Sequence, residues 1–214
     1  VSSNDTLKVI VKHLANPPVP IPPPVPIGPG FVDNIETADS ATYYSAQTGL
    51  AGIDRYDFVS TNNLGRLRTF VNSGIAYSGN KALTLDADRF NIAGTADSIK
   101  GTFNLAAYDI NTDDIRLDFL YKHHGQLSNP ANQLWIRGDD QKPWIAAYDL
   151  YANQNDPGVY KKSASIELSD LLAANSQVFS SSFQARWGQW GQIIAADNEA
   201  GAGYTFDDIH LYRV

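Results

Sequence analysis

Between Phe31 and Val214 the chain is divided into about ten short apolar runs, each closed off by turn-forming residues, and only one segment has a helical pattern. The runs are Phe31–Ile35, Tyr56–Val59, Lys81–Ala87, Ile99–Leu105, Ile115–Lys122, Gln133–Arg137, Trp144–Tyr148, Ser163–Leu168, Val178–Trp187 and Gly203–Tyr212. Ser78-Gly79-Asn80, Asn111-Thr112-Asp113-Asp114, Ser128-Asn129-Pro130, Gly138-Asp139-Asp140 and Asn155-Asp156-Pro157-Gly158 separate them, with residues that supply left-handed or turn conformations. The helical exception is Ser169–Ala174, with Ser169 as its N-cap. Short strands without strand–helix alternation predict an all-β fold, a two-sheet antiparallel β-sandwich of the jelly-roll kind.

The last run breaks its own alternation. In Gly203-Tyr204-Thr205-Phe206-Asp207-Asp208-Ile209-His210-Leu211-Tyr212, Phe206 shares a face with Asp208, whereas Ile209 and Leu211 share one with Asp207. An apolar strand whose phase changes across two carboxylates is either buried on both faces or bulged. Burying the pair requires hydrogen bonds or a cation. First and last strands of such sandwiches often lie side by side, which would bring Asp33 and Glu36 near Asp207 and Asp208 and predicts a bulge there facing Glu36.

Two regions precede the sandwich. Thr6–Leu14 alternates as a strand would, the remnant of a preceding immunoglobulin-like domain or a pairing arm. Residues 15–30 hold most of the 11 prolines and read as a polyproline II spacer. The domain boundaries expected are therefore 1–14, 15–30 and 31–214. The 214 residues suffice for one substantial core. No apolar run is long enough for a membrane helix. A net charge of −7 disfavours nucleic acid and anionic membranes. The chain has no Cys, which removes thiolate chemistry and disulfides.

Four stretches bear on chemistry. Phe183-Gln184-Ala185-Arg186-Trp187-Gly188-Gln189-Trp190-Gly191 offers aromatic faces for sugar rings and an Arg for hydroxyls. Trp187, Trp190, Arg186 and Trp144 are the candidate ligand residues, against the alternative that Phe183 and one Trp fill the core. Asp86 and Asp88 share a face and could be a glycosidase pair, but the Glu-x-Asp-x-x-Glu motif of lectin-like hydrolases is absent. His123 and His124 are adjacent, so on a strand they face opposite ways and are poorly placed to ligate one metal together. No zinc-protease, nucleophile-elbow or phosphate-loop motif is present.

Phe31-Val32-Asp33-Asn34-Ile35-Glu36, Ser78–Leu85, Ile115–Tyr121, Leu134-Trp135-Ile136 and the closing Gly203–Leu211 together resemble MAM-type jelly rolls, in particular MAM-like modules of secreted multidomain surface proteins of Bacteroidetes-type bacteria. The resemblance spans residues 31–214 but departs from the animal pattern in lacking every cysteine. It implies a non-catalytic extracellular module for adhesion or partner binding, with a carbohydrate-binding module serving an attached enzyme as the alternative. It also implies a protein or glycan ligand at the cell surface, flanking domains in the same polypeptide, and export by the type IX pathway. A structural Ca²⁺ where the first and last strands meet is implied too, with Glu36, Asp33, Asp207 and Asp208 as its ligands.

Overall fold

The computed structural model describes residues 15–22, 30–70, 75–87, 94–191 and 203–214. Within them two antiparallel sheets face one another, as the alternation requires. One sheet contains β1 (Phe31–Asp33), β2 (Thr42–Tyr43), β4 (Gly65–Arg68), β5 (Leu83–Ala87), β7 (Ile115–His123), β10 (Lys161–Lys162), β11 (Ile166–Glu167) and β13 (Gly203–Arg213). The other is β3 (Tyr56–Ser60), β6 (Thr95–Phe103), β12 (Phe183–Gly191), β8 (Gln133–Arg137) and β9 (Ile145–Asp149), in that order across the sheet.

β13 occupies the middle of the first sheet. Along one side it pairs with β7 throughout, from Tyr204 opposite His123 to Arg213 opposite Ile115, with a register shift between Asp207 and His210. Along the other side its first half pairs with β5, ending at Phe206 opposite Leu83. Its second half pairs with β1, through Ile209 opposite Asp33 and Leu211 opposite Phe31. The phase break is thus a bulge where the strand exchanges one neighbour for another. Asp208 takes φ 44°, a left-handed conformation that Asp tolerates better than most residues. The extra residue lets Tyr204 and Phe206 before it, and Ile209 and Leu211 after it, all be buried.

Between the sheets the core is aromatic. The Phe119 ring lies 5.5 Å from Tyr121, 6.0 Å from Tyr148, 5.8 Å from Trp187 and 6.0 Å from Phe206. The last three are edge-on, and such contacts add about 0.5–1.5 kcal/mol each beyond burial. Trp187 is 1% exposed, so its candidacy as a ligand residue is corrected: its strand phase points it inward with Phe183 and Ala185.

The short elements deviate from the sequence reading for local reasons. α1 (Leu168–Ala174) buries Leu168 and Leu172, but Ser169 does not cap it. The Ser169 hydroxyl instead donates to the Asp113 carbonyl at 2.5 Å and accepts the Ile115 N–H at 2.9 Å, tying the helix to the start of β7. The start of the proline-rich stretch lies against the sandwich. Val19 N–H donates to the Asn104 carbonyl at 3.0 Å, Tyr108 Oη donates to the Val19 carbonyl at 2.7 Å, and Val19 and Ile21 are buried. The Thr6–Leu14 strand and the rest of that stretch up to Pro29 lie outside the described residues.

Candidate functional site

The strand phase that turns Trp187 inward turns Gln184, Arg186, Gly188 and Trp190 outward, onto the solvent side of the five-stranded sheet. Pairing then decides what surrounds them. Arg186 stands between Lys100 of β6 and Trp135 of β8, and Gln184 between Thr102 and Arg137.

Arg186 is the centre of this face. Its guanidinium carbon lies 4.5 Å from the Trp135 ring centroid and 4.3 Å from that of Trp144, and the Arg137 guanidinium lies 4.4 Å from Trp144. These are cation–π distances, and the rings hold the two cations in fixed poses. Arg137 donates from Nε and Nη2 to Gln184 Oε1 at 2.8 and 2.5 Å, and Gln184 Nε2 donates to Thr102 Oγ1 at 3.2 Å. Lys100 Nζ pairs with Asp57 at 2.9 Å. Burial lowers the Arg186 pKa, and the neighbouring positive charge of Arg137 lowers it further.

Gly188 explains how Trp135 lies against the sheet. A Cβ on Gly188 would sit 2.5 Å from Trp135 Cζ3, so only glycine leaves room for the indole to lie over this strand. Beside it runs an open groove of about 200 Å³, lined by Val59, Thr61, Ser98, Trp135, Arg186 and Gly188 among others. Trp190 belongs to the same row, but its ring is seated on Gly94, where a Cβ would fall 2.1 Å from Trp190 Cζ2. Among the described residues no ring or cation contact joins it to the Trp135–Arg186–Trp144 group. Of the candidate ligand residues, the structure brings together Arg186 and Trp144, places Trp190 apart and buries Trp187. Trp135 was missed as a ligand residue. The alternation in Gln133-Leu134-Trp135-Ile136-Arg137 puts it on the polar face with Arg137, and that signal was available in the sequence.

The acidic candidates gather at the bulge of β13, around the 75–81 segment. Asp207 Oδ2 accepts the backbone N–H groups of Tyr77 and Ser78 at 2.8 and 3.0 Å, and Asp208 Oδ1 accepts the Ser78 hydroxyl at 2.8 Å. Glu36 Oε1 accepts the N–H groups of Asn80 and Lys81 at 2.8 and 2.7 Å. The bulge and Glu36 therefore meet through one loop, which they hold from two sides. Burial pushes the Asp207 carboxyl up to about 6, against the hydrogen bonds from Ser78 and Asp208 that favour its charge. Asp33 is turned elsewhere, accepting from Tyr56 Oη at 3.1 Å and standing 3.7 Å from Arg55 Nε. Among the described residues no three His, Cys, Asp or Glu side chains are grouped so as to hold a metal ion by themselves. A cation here would combine carboxylate oxygens such as Glu36 Oε2 and Asp208 Oδ2, which accept no hydrogen bond among the described residues, with backbone carbonyls and water.

The remaining titratable candidates have structural partners. Asp86 is fully buried and held by Arg66 Nε at 2.7 Å and Arg68 Nη2 at 2.5 Å, which occupies it structurally; Asp88 lies outside the described residues. His123 Nε2 is 2.8 Å from the Asn155 carbonyl, while His124 Nε2 is 2.8 Å from Thr205 Oγ1, so the two rings diverge.

No protein-family model and no curated protein matches the chain. Among solved structures it is similar to a xylan-binding domain from CBM 22, at 8% identity and TM-score 0.37, over 87% of this chain and 95% of that one. It is also similar to SGBP-B from a complex xyloglucan utilization locus in Bacteroides uniformis, at 11% identity and TM-score 0.37. That likeness covers 84% of this chain and about half, 50%, of the other. At these values neither bears on function.

Proposed function

We propose that the chain is a non-catalytic β-sandwich module that binds a glycan on the outer face of its five-stranded sheet. The observation that carries this reading is the Arg186 guanidinium set between the Trp135 and Trp144 indoles beside an open groove. Indole faces stack on the C–H faces of sugar rings, and a guanidinium fixed between them presents N–H donors at the ring edge. No helix among the described residues is long and apolar enough to cross a membrane. We place the module in an extracellular or cell-surface protein, as the resemblance to MAM-like modules implies, with flanking domains giving it an adhesive or enzyme-targeting role. Affinity electrophoresis of the 214-residue chain through gels containing xylan, xyloglucan, β-glucan or pectin tests the binding. Retardation in at least one gel, lost in Trp135→Ala, is expected; unretarded migration in all of them, or retardation unchanged by Trp135→Ala, contradicts the reading.

A second proposal concerns the bulge. Glu36, Asp207 and Asp208 all grip the 75–81 segment, and a Ca²⁺ there would lock this loop and the strand junction together. The expected result is a melting temperature raised by Ca²⁺, lowered by chelator, and insensitive to both in Glu36→Gln. A melting temperature unmoved by either reagent in the unmodified chain removes the ion.

A further inference from the structure

Most arginines among the described residues are paired with acids. Arg55 has Asp33, Arg66 and Arg68 share Asp86, Arg116 has Asp114 and Glu167, and Arg213 has Asp113, each within 4.0 Å. Among the described arginines only Arg137 and Arg186 lack a carboxylate at that distance, and they stand together on the proposed glycan face. The acceptors of Arg137 are neutral, the Gln184 amide oxygen and the Lys142 carbonyl. Asp139 and Asp140, in the turn that follows β8, offset its charge without pairing with it. Arg186 contacts rings, and its buried Nε has no hydrogen-bond partner.

A partly desolvated guanidinium without a counter-charge is unfavourable, and stacking on indoles recovers only part of its lost hydration. Lys100 adds no net charge, because Asp57 neutralises it. Among the described residues the only carboxylate along the groove is Asp97, which is buried, raised in pKa by that burial, and engaged by Thr95 Oγ1 at 2.8 Å and Gln189 Nε2 at 3.3 Å. The face thus carries two guanidinium groups without a paired carboxylate, only Arg137 being partly offset by the Asp139–Asp140 turn, on a chain whose net charge is −7. General electrostatics would repel an anionic polymer from this protein, so attraction at this face has to be local.

We infer that the glycan bound here is anionic, its carboxylate or sulfate ester paired with Arg186 and Arg137 while the sugar ring rests on Trp135. A planar guanidinium meets a carboxylate through two parallel N–H···O bonds, which neutral hydroxyls cannot match in charge. This inference depends on the glycan-binding reading of the same face and narrows its ligand class.

Isothermal titration at about pH 7, where uronates are ionised, uses oligogalacturonate against its methyl ester, dextran sulfate against dextran, and neutral xylo-oligosaccharide. The expected result is at least about tenfold tighter binding of one anionic probe than of its neutral counterpart, about 1.4 kcal/mol. That preference should fall about tenfold in Arg186→Gln, with melting temperature as the check on folding, and also fall in Arg137→Gln, which lies nearer the sheet rim. Preference for oligogalacturonate assigns the anion as a carboxylate, and preference for dextran sulfate assigns it as a sulfate ester. Equal affinity for charged and neutral probes overturns the anionic inference while leaving glycan binding standing. Binding of none of the probes overturns the anionic inference, and absence of retardation in all the affinity gels as well overturns glycan binding.

Discussion

Asp207 Oδ2 accepts the backbone N–H of Ser78 at 3.0 Å, joining two residues 129 positions apart. The same oxygen takes the Tyr77 N–H, and the Asp208 N–H returns to Asp207 Oδ1 at 2.8 Å, so one buried carboxylate satisfies three backbone donors around the bulge. The acids at the end of the chain are the means by which a loop from its first half is held down.

Removing that carboxylate leaves buried N–H groups unpaired, at about 1–3 kcal/mol for each group that water cannot reach. Asp207→Ala is expected to lower the urea unfolding free energy by about 2–4 kcal/mol. Asp207→Asn, which retains one acceptor oxygen, should lose less. A change below about 0.5 kcal/mol in the alanine variant would show that the loop does not depend on Asp207.

Trp187 and Trp135 are expected to separate stability from binding. Trp187→Ala empties a site packed against Phe119 and Phe206 and should destabilise the chain by about 3–5 kcal/mol. Trp135→Ala removes a half-exposed ring and should lower stability by about 1 kcal/mol while abolishing glycan retention. Chemical denaturation of both variants beside the affinity gels distinguishes the two roles.

His124 gives the chain an acid-side weakness. Burial, followed by the charges of Lys122, His123 and Arg68, lowers its pKa from 6.5 to about 3. A folded-state pKa below the unfolded one means that the unfolded chain binds the proton first. Stability associated with His124 is therefore complete above pH 6.5 and declines as pH falls toward about 3, by at most about 1.4 kcal/mol per unit. His124→Gln, which can still meet Thr205, is expected to flatten the melting-temperature profile between about pH 6.5 and pH 4 relative to the unmodified chain. Parallel profiles for the two would contradict the assignment.

The sandwich and the bulge were legible because both are written in local alternation. Ile115, Leu117, Phe119 and Tyr121 face the core as their spacing requires, and the phase change across Asp207–Asp208 is a real extra residue. What the bulge is for was not legible, since it depends on β5 and β1 sharing one edge of β13, a pairing between distant segments. β4 was overlooked because Gly65-Arg66-Leu67-Arg68 carries two charges at alternate positions. Asp86, twenty residues from Arg66 in sequence, makes those charges compatible with a buried strand. On the candidate face, richness in aromatics drew the reading to Phe183–Gly191, whereas alternation divides that stretch between core and surface. The same test applied to Gln133–Arg137 selects Trp135.

The four tryptophans report separately on the glycan face and on the core, because each indole N–H gives its own resonance in a ¹⁵N-correlated NMR spectrum of the intact chain. Titration with the oligosaccharide that the affinity gels identify is expected to move the Trp135 and Trp144 indole signals together, saturably, while the Trp187 signal stays in place. An oligosaccharide that binds while leaving Trp135 and Trp144 unshifted would contradict the assignment of this face as the binding site.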